Sequence, residues 1–443
     1  MHHKISRRGF MQAAAGAGAA MTLGAPAFAQ HQPLERVRVG MVGVGSRGSS
    51  LLRALLQLPY VDVLAVGDLI EERTTQAQDL VEQARGNRPA AYTKGERDFE
   101  NLVVRDDLDA VICATPVKWH TPVMLATMRA GKYGATEVPA AFTLDECWAL
   151  VRTSRETGMP CMMLENVCYF ENVLALLRMV REGVFGELLH AEGGYQHDCR
   201  FLAFKDGELT WRGELYATVN GNYYPTHPIG PIAQWFNINR GDRFTRLVSM
   251  STKARGLRNQ AIKEYGPDHP LAKRDYALGD INTSLIETAN GLTVTLYHDT
   301  ATPRPYDLIM RLQGTKGIHM QDQIYLEDVS PTAHTYEPFA PYQKQYAHPL
   351  WTELQEEASK HGGHGGSDYI TVYEFIRAVR NRTQTPQDVY DAATWSAIVP
   401  LSFESVAKQS ATLEFPDFTE GAWKSRKPVP IYGASSADYP GPV

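Results

Sequence analysis

The chain has 443 residues, a formal net charge of −6 and an isoelectric point near 6.2. This mildly acidic balance excludes the broad basic surface that nucleic-acid-binding proteins need, and the length suffices for two domains with cores of their own. The five cysteines are odd in number and show no C-x-x-C spacing. We therefore expect small buried thiols rather than a disulfide framework or a metal site.

The first 29 residues contain the three parts of a twin-arginine export signal. Ser6-Arg7-Arg8-Gly9-Phe10-Met11 supplies the arginine pair, residues 13–23 are apolar and small, and Ala27-Phe28-Ala29 matches an A-x-A cleavage site. The alternative is a frayed N-terminus whose arginines fall there by chance. We expect a protein that is exported folded, to the periplasm or out of the cell. No later segment reaches the ~18 consecutive apolar residues of a membrane helix, so the mature chain is expected to have no membrane span.

A dinucleotide-binding fingerprint follows the first predicted strand. The strand over residues 37–42 leads into Gly43-Val44-Gly45-Ser46-Arg47-Gly48, a G-x-G-x-x-G pattern, and residues 49–56 predict a helix. The glycines permit a tight turn and the close approach of a pyrophosphate, whose charge the helix N-terminus meets. The predicted cofactor residues of this turn are Gly43, Gly45, Ser46, Arg47 and Gly48.

A second predicted strand, over residues 61–67, ends at Asp68. At this position in such a fold a carboxylate accepts hydrogen bonds from the adenosine ribose. Asp68 is followed by Leu69 and Ile70, with no adjacent arginine to pair with a 2′-phosphate. We therefore expect NAD rather than NADP.

Two further strand–helix units extend this Rossmann domain, which we place at residues 30–160. Residues 110–114 and 132–137 predict buried strands, each followed by a helix. Open parallel sheets bind ligands at the carboxyl ends of their strands. The residues expected to line that crevice include Trp119, His120, Glu137 and Val138.

Beyond residue 160 the pattern changes to alternating apolar and polar residues. Residues 292–298 are one such stretch, and loops rich in tyrosine, tryptophan and glycine interrupt the pattern. We expect a second, sheet-based domain over residues 161–415 for substrate binding and oligomer formation. Residues 416–443 contain several prolines and predict an extended tail, over the surface or into a neighbouring subunit.

Residues 37–141 resemble the superfamily of glucose–fructose oxidoreductase, inositol dehydrogenase and MocA proteins. The resemblance implies an α/β Rossmann domain plus an α+β domain with a large open-faced, mostly antiparallel sheet. An open face usually needs covering, so a homo-oligomer is expected. Most dehydrogenases of this group carry Glu-Lys-Pro at the end of the fifth strand, where the lysine assists proton removal. Here the tripeptide is Glu137-Val138-Pro139, which argues against a simple alcohol dehydrogenase.

Further motifs run along the chain in a fixed order: Trp119-His120, Leu164-Glu165-Asn166-Val167-Cys168-Tyr169, Gly193-Gly194-Tyr195-Gln196-His197-Asp198, Tyr224-Pro225-Thr226-His227, Ser251-Thr252-Lys253-Ala254-Arg255-Gly256-Leu257, His298-Asp299-Thr300 and Gly362-Gly363-His364-Gly365-Gly366. They resemble those of the NAD-dependent α-N-acetylgalactosaminidases, which are retaining glycoside hydrolases. The likeness extends from the export signal to Trp423. It implies an exported enzyme that acts on a terminal N-acetylgalactosamine of a glycan or glycoside, with the α linkage expected.

NAD-dependent glycosidases are an exception to the usual carboxylate pair. The resemblance implies that the sugar is oxidised at C3 with bound NAD, loses its C2 proton, eliminates the aglycone, adds water and is reduced again. The net reaction is hydrolysis, and the cofactor returns to its starting state. This agrees with export, because no metabolism outside the cytoplasm recycles free NADH. We expect NAD to be tightly bound and recycled within each turnover.

Three candidate catalytic residues follow from the resemblance: His227, Tyr169 and Glu137. Histidine titrates near neutral pH, which suits His227 to proton transfer. Tyr169 suits the role of base only if neighbouring positive charge lowers its pKa, and otherwise it is a packing aromatic. Glu137 either orients the nicotinamide ribose or exchanges protons, and cofactor contact is the favoured interpretation.

The same resemblance assigns the sugar pocket. Arg212 is expected to hold sugar hydroxyls or the acetamido carbonyl, although an isolated arginine is more often half of a surface ion pair. The predicted substrate residues are Tyr195, Arg212, Tyr224, Pro225, Thr226, His227 and Tyr306. The further predicted NAD contacts are Val117, Lys118 and Asn166. The run His361-Gly362-Gly363-His364 raises the possibility of a metal site, but a mobile glycine-rich loop is favoured and no metal is expected.

Two other hypotheses remain. One is an exported sugar oxidoreductase that keeps its nucleotide and passes hydride between two sugars. The other is a non-catalytic sugar-binding protein on a retained Rossmann scaffold. The missing lysine separates the oxidoreductase from the glycosidase, and the many tyrosine, histidine and glutamate residues near the crevice argue against the binding protein.

Overall fold

A computed structural model describes residues 32–361 and 363–435, with the side chain of residue 361 omitted. The predicted export signal, residue 362 of the glycine run and the last part of the predicted tail lie outside the described residues. The described chain forms two large sheets with helices packed on them. No helix in this part of the chain is long and apolar enough to cross a membrane.

The first sheet has six parallel strands, and its order is β3-β2-β1-β4-β5-β6. The strands are β1 (Val37–Val42), β2 (Val61–Gly67), β3 (Ala90–Tyr92), β4 (Ala110–Cys113), β5 (Tyr133–Thr136) and β6 (Cys161–Met163). This is the strand order of the dinucleotide-binding Rossmann fold. The order reverses between β1 and β4, and ligands bind in the crevice at this switch point.

The α-helices of the described residues number fourteen in chain order: α1 (Ser46–Leu55), α2 (Glu71–Arg85), α3 (Phe99–Val103), α4 (His120–Arg129), α5 (Leu144–Thr157), α6 (Glu171–Arg181), α7 (Trp211–Thr218), α8 (Thr226–Trp235), α9 (Gly256–Tyr265), α10 (Pro270–Lys273), α11 (Ala340–Gln345), α12 (Pro349–His361), α13 (Ser367–Asn381) and α14 (Val389–Ala407). Helix α13 packs against α1, and α14 packs against α5 and β6. The C-terminal helices therefore return to cover the parallel sheet.

The second sheet has nine strands, in the order β16-β15-β14-β13-β7-β12-β11-β10-β17. Its strands are β7 (Leu188–Gln196), β10 (Phe244–Ser251), β11 (Asn282–Thr288), β12 (Thr293–Asp299), β13 (Arg311–Gly314), β14 (Gly317–Met320), β15 (Gln323–Leu326), β16 (Glu337–Pro338) and β17 (Leu413–Glu414), while β8 (Phe204–Lys205) and β9 (Glu208–Leu209) form a separate hairpin. Only the β7–β12 pair is parallel in this sheet as described. The predicted fold class is thus confirmed.

One face of the second sheet is buried and the other is open, because successive side chains of a strand point to opposite faces. Along β11 the side chains of Asn282, Ser284 and Ile286 are buried, while Leu285 between them is exposed. Met250 on β10 is exposed on the same sheet. The homo-oligomer remains a prediction.

The predicted domain boundary at residue 160 falls just before β6, which pairs with β5 in the parallel sheet. The buried Cys161 begins this strand, and the sheet therefore continues past the predicted boundary. The predicted tail packs on its own chain as far as it is described: Phe418 packs against Trp148, and Arg426 forms an ion pair with Asp388. All five cysteines are buried free thiols, as expected.

Candidate active site

A cavity of about 1240 Å³ lies at the carboxyl end of the parallel sheet. Loops after β1, β2, β4 and β5 form one side, and β7, α7 and α8 of the second domain form the other. It is lined by every predicted cofactor residue except Gly48, and by these predicted substrate or catalytic residues: Glu137, Tyr195, Arg212, Tyr224 and His227. The structure therefore brings residues from distant parts of the sequence to one cavity.

The glycine turn has the shape that a pyrophosphate needs. Gly43 has a φ of +84°, and a Cβ there would lie 2.7 Å from the backbone nitrogen of Thr115. A Cβ on Gly48 would lie 2.0 Å from the carbonyl oxygen of Gly43, so only glycine lets α1 approach the turn. Among the described residues no side chain caps the N-terminus of α1, and its first backbone N–H groups are available to an anion.

Asp68 lies at the end of β2 with its carboxylate beside the turn. Its Oδ2 accepts a hydrogen bond from the backbone N–H of Val44 at 3.1 Å, and its Oδ1 accepts from Ile70 at 3.0 Å. Arg73, one turn into α2, brings Nη1 within 3.6 Å of Oδ1. Arg73 is not adjacent to Asp68 in the sequence, so the expectation of NAD did not include it. The carboxylate remains in the position that a ribose hydroxyl would meet.

Arg47 joins the turn to two carboxylates. Its Nε donates to Glu137 Oε1 at 2.7 Å, and its Nη1 and Nη2 donate to Asp368 at 2.7 and 3.0 Å. Burial lowers the pKa of Arg47, but the charges of Glu137 and Asp368 outweigh this and hold that pKa above its ordinary value. Arg47 is therefore a fixed cation between the glycine turn and the end of β5.

Asp368, at the start of α13, also organises the residues around Arg47. It accepts from Asn166 Nδ2 at 2.8 Å, and its Oδ2 lies 2.9 Å from His364 Nδ1. Burial alone would raise the pKa of Asp368, but the hydrogen bonds from His364 and Arg47 hold it well below its ordinary value. No short-range sequence signal identifies Asp368, because it lies 321 residues beyond Arg47.

The loop after β4 supplies the next part of the lining. Val117–Trp119 form a single turn of 3₁₀ helix, and Lys118 Nζ lies 3.2 Å from Glu96 Oε1. His120 is buried, with Nδ1 2.7 Å from the carbonyl oxygen of Pro139 and Nε2 2.8 Å from that of Thr115. Burial lowers the pKa of His120 despite these bonds. This histidine thus ties together the loops that follow β4 and β5.

The opposite side of the cavity is aromatic and contains His227. The His227 ring centroid lies 5.0 Å from that of Tyr224 and 5.2 Å from that of Tyr195. Burial raises the pKa of both tyrosines above the ordinary value, so their hydroxyls remain protonated and can donate hydrogen bonds. Arg212 lies over the Trp211 ring, 4.7 Å from its centroid. Burial lowers the pKa of Arg212, but the tyrosines around it, Tyr223 foremost, raise it above the ordinary value.

Three predicted substrate residues lie behind or beside this group. Pro225 precedes α8 and Thr226 begins it, fully buried, so these two residues set the position of His227. Tyr306 is 47% exposed, and its ring centroid lies 6.2 Å from that of Tyr195. It lies beside Tyr195 and is not among the residues that line the cavity.

Tyr169 is the predicted catalytic residue that the described structure does not place on the cavity wall. It is buried, and its hydroxyl has no hydrogen-bond partner among the described residues. Burial raises its pKa well above the ordinary value, and the charge of Glu374 raises it further. A tyrosine base needs the opposite shift, so the surroundings of Tyr169 agree with the packing alternative.

Glu165, for which no role was predicted from the sequence, contacts His227 directly. Its Oε1 lies 2.6 Å from His227 Nδ1, and its side chain is completely buried. The signal that could have found it is its place just after β6, at the carboxyl end of a parallel strand. In the described parts of the chain, no group of three or more His, Cys, Asp or Glu side chains could hold a metal ion.

Two family comparisons divide the chain at the same place as the structure. Residues 37–165 match the oxidoreductase family with an NAD-binding Rossmann fold, and residues 169–425 match the C-terminal domain of glycosyl hydrolase 109. The first match covers the parallel sheet and the glycine turn. The second covers the aromatic side of the cavity.

Curated relatives match nearly the whole chain. An alpha-N-acetylgalactosaminidase from Tannerella forsythia is 44% identical over 415 residues, which cover 89% of this chain and 88% of that protein. A glycosyl hydrolase family 109 protein from Stenotrophomonas maltophilia is 42% identical over 451 residues, covering 96% of this chain and 98% of that protein. Among solved structures, levoglucosan dehydrogenase in complex with NADH has a TM-score of 0.65 at 20% identity, covering 86% of this chain and 100% of that one. This last likeness shows the fold.

Proposed function

The chain belongs to glycosyl hydrolase family 109, and we propose that this NAD-dependent glycosidase removes terminal N-acetylgalactosamine in α linkage, with retention of configuration. The observation that carries the proposal is a single cavity that contains both the dinucleotide-binding turn and the His227 cluster. The choice of sugar is supported by the activity for which the Tannerella forsythia relative is named.

The carboxyl end of the parallel sheet fits NAD. The turn at Gly43 and the N-terminus of α1 would hold the pyrophosphate, Asp68 the adenosine ribose, and Glu137 with Asn166 the nicotinamide side. When bound, NAD supplies a reversible oxidation of the sugar at C3, which makes the neighbouring C2 proton acidic. We propose that the protein retains its nucleotide between turnovers.

His227 is the residue we assign to proton transfer at C2, because it is the imidazole among the sugar-side residues of the cavity. Tyr195 and Tyr224 flank it as hydrogen-bond donors, since burial keeps both hydroxyls protonated. Arg212 supplies a half-buried positive charge, suited to an enolate oxygen or to the acetamido carbonyl. Elimination and water addition would both occur among these groups.

Net oxidation of the sugar is the competing chemistry, and the residue after Glu137 distinguishes a sugar oxidoreductase from a glycosidase. Val138 stands where the related dehydrogenases carry a lysine, and it is almost fully buried. An apolar side chain takes no proton from a substrate hydroxyl. The glycosyl hydrolase relatives agree with this distinction.

The direct test is release of nitrophenol from its α-N-acetylgalactosaminide, with absorbance at the NADH band followed in parallel. We expect continuous nitrophenol release and no accumulation of NADH. The variant His227→Gln should lose most of the activity, whereas His190→Gln, on the second sheet outside the cavity, should not. Accumulation of NADH in step with substrate consumption would favour the oxidoreductase instead.

Retention is tested separately by proton NMR of the released sugar. We expect the α anomer of N-acetylgalactosamine to appear first and the β anomer to follow by mutarotation. The β anomer as first product would contradict retention while leaving hydrolysis intact.

We also propose that the protein is exported folded, to the periplasm or beyond. Arg7 and Arg8 with the A-x-A site support this, and a cofactor that ends each turnover unchanged is compatible with a compartment that lacks NADH recycling. Replacing both arginines with lysine should leave the full-length protein in the cytoplasm of fractionated cells. Unchanged export of that variant would refute the twin-arginine route.

A further inference from the structure

We propose that Glu165 is a positioning residue that sets the tautomer and the orientation of His227. The inference rests on the proposed proton-transfer role of His227. It concerns which imidazole nitrogen is offered to the substrate before the substrate arrives. The relevant contact joins the end of β6 to the start of α8.

The contact fixes which imidazole nitrogen faces the substrate. Glu165 Oε1 lies 2.6 Å from His227 Nδ1, and a carboxylate at this distance accepts a hydrogen bond from Nδ1–H. The neutral imidazole then carries its proton on Nδ1 and offers the lone pair of Nε2. Since His227 lines the cavity, Nε2 is the nitrogen left to take a proton from the sugar.

The backbone around Glu165 is held in place. Gln387 accepts a hydrogen bond from the Glu165 backbone N–H at 3.2 Å and donates from Nε2 to its carbonyl oxygen at 3.0 Å. The carboxylate Oε1 also accepts from the backbone N–H of Val167 at 3.1 Å. These three bonds fix both the main chain and the side chain of Glu165.

Helix α8 is shaped to accept this carboxylate. Gly230 faces Glu165, and a Cβ at that position would lie 2.9 Å from Glu165 Cγ and 2.8 Å from Cys168 Sγ. Glycine therefore lets the helix that carries His227 approach the end of β6. A packing role alone would not require a charged side chain at the closest point of this approach.

His227 is the side chain that the Glu165 carboxylate hydrogen-bonds among the described residues. The Glu165 side chain is fully buried, and its Oε2 has no hydrogen-bond partner in the same part of the chain. Cys168 lies beside Glu165, and Tyr195 and Tyr224 pack against His227. Burial raises the pKa of all three, so these neighbours are neutral near pH 7. The charged groups Arg47, Glu137 and Arg212 line the same cavity.

The central test compares Glu165→Gln with the wild type by ¹⁵N NMR of labelled histidines in the full chain, with the His227 signal assigned by its loss in His227→Gln. We expect the Nδ1–H tautomer in the wild type and a mixture of the two tautomers in Glu165→Gln, because a glutamine amide can donate to Nδ1 as well as accept from it. The same single tautomer in both proteins would overturn the inference. This readout needs neither substrate nor turnover.

Kinetics supply the second readout. Glu165→Gln should lower kcat by about 10²-fold or more with little change in KM. Glu165→Asp keeps a carboxylate acceptor and should restore part of kcat. Asp242→Asn removes another buried carboxylate outside the cavity, and we expect it to affect stability but not kcat.

The two proposals fail in different ways. If the wild type does not hydrolyse the nitrophenyl glycoside, or if His227→Gln is fully active, the proposed function fails while the NMR comparison still decides the role of Glu165. If the wild type and His227→Gln behave as expected but Glu165→Gln keeps the wild-type kcat and the Nδ1–H tautomer, only the role of Glu165 fails.

Discussion

Replacing Asp368 with asparagine tests whether helix α13 organises the cofactor side of the cavity. Asp368 is 1% exposed in its side chain and accepts two hydrogen bonds from Arg47 and one from Asn166. Asparagine has nearly the same shape but presents an N–H group and no charge to these donors. Removing one partner of a buried ion pair costs roughly 3–5 kcal/mol. Arg47 keeps its ion pair with Glu137 and its side chain is 27% exposed, so we expect Asp368→Asn to lower the free energy of unfolding by about 2–3 kcal/mol.

The assay is urea unfolding at neutral pH, followed by circular dichroism, together with a titration of the nucleotide-free protein with NAD. The exposed Asp106→Asn is the matched control and should change the free energy of unfolding by less than ~0.5 kcal/mol. We also expect weaker NAD binding in Asp368→Asn, because Arg47 and Asn166 lose their common anchor. Equal unfolding free energies and equal NAD affinities in the two variants would refute the reasoning.

Four further outcomes follow from single positions. Gly48→Ala places a methyl group 2.0 Å from the backbone carbonyl oxygen of Gly43, so we expect loss of NAD binding in a fluorescence titration. Retained NAD affinity would contradict the close approach of α1 to the glycine turn. Tyr169→Phe removes a buried hydroxyl that has no hydrogen-bond partner among the described residues. We therefore expect kcat to stay near the wild-type value and thermal stability not to fall. A large loss of kcat would support a catalytic role for Tyr169 instead. The hydrogen bond to the buried carboxylate of Asp368 raises the pKa of His364. The stabilisation of the fold by this pair is therefore complete below pH 6.5 and is lost as the pH rises through the raised pKa of His364. His364→Ala should therefore be more destabilising in urea at acidic than at alkaline pH, and an equal loss at both would contradict the pairing. Asp68→Ser removes the carboxylate that lies beside Arg73, so NADP should bind more tightly relative to NAD than it does in the wild type. An unchanged NAD-to-NADP preference, measured by calorimetry, would show that Asp68 does not set this preference.

The cofactor half of the site was largely predictable because its signals are local. A strand, a glycine turn, a helix and a terminal acid occur within about thirty residues, and each has its own steric or electrostatic reason. The observed β1 and β2 have the predicted bounds, while α1 begins at Ser46 rather than at residue 49, because the last residues of the turn already belong to the helix.

The contacts that the sequence did not reveal are long-range. Asp368 reaches Arg47 from α13, and Glu165 reaches His227 from the end of β6, so neither pair has a spacing that a motif could report. The short strand β6 joins the first sheet through its pairing with β5, a contact that the local sequence pattern does not report. Tyr169 lies in a recognisable motif, but burial and the side chains around it, rather than motif membership, determine its chemistry.

Turnover of the nitrophenyl α-N-acetylgalactosaminide in heavy water tests the central claim most directly. The account predicts that the released N-acetylgalactosamine carries deuterium at C2, seen by NMR, while NADH does not accumulate. That result requires removal and return of the C2 proton within a redox cycle that closes. Hydrolysis that proceeds with protium retained at C2 would contradict the elimination and addition proposed for this cavity.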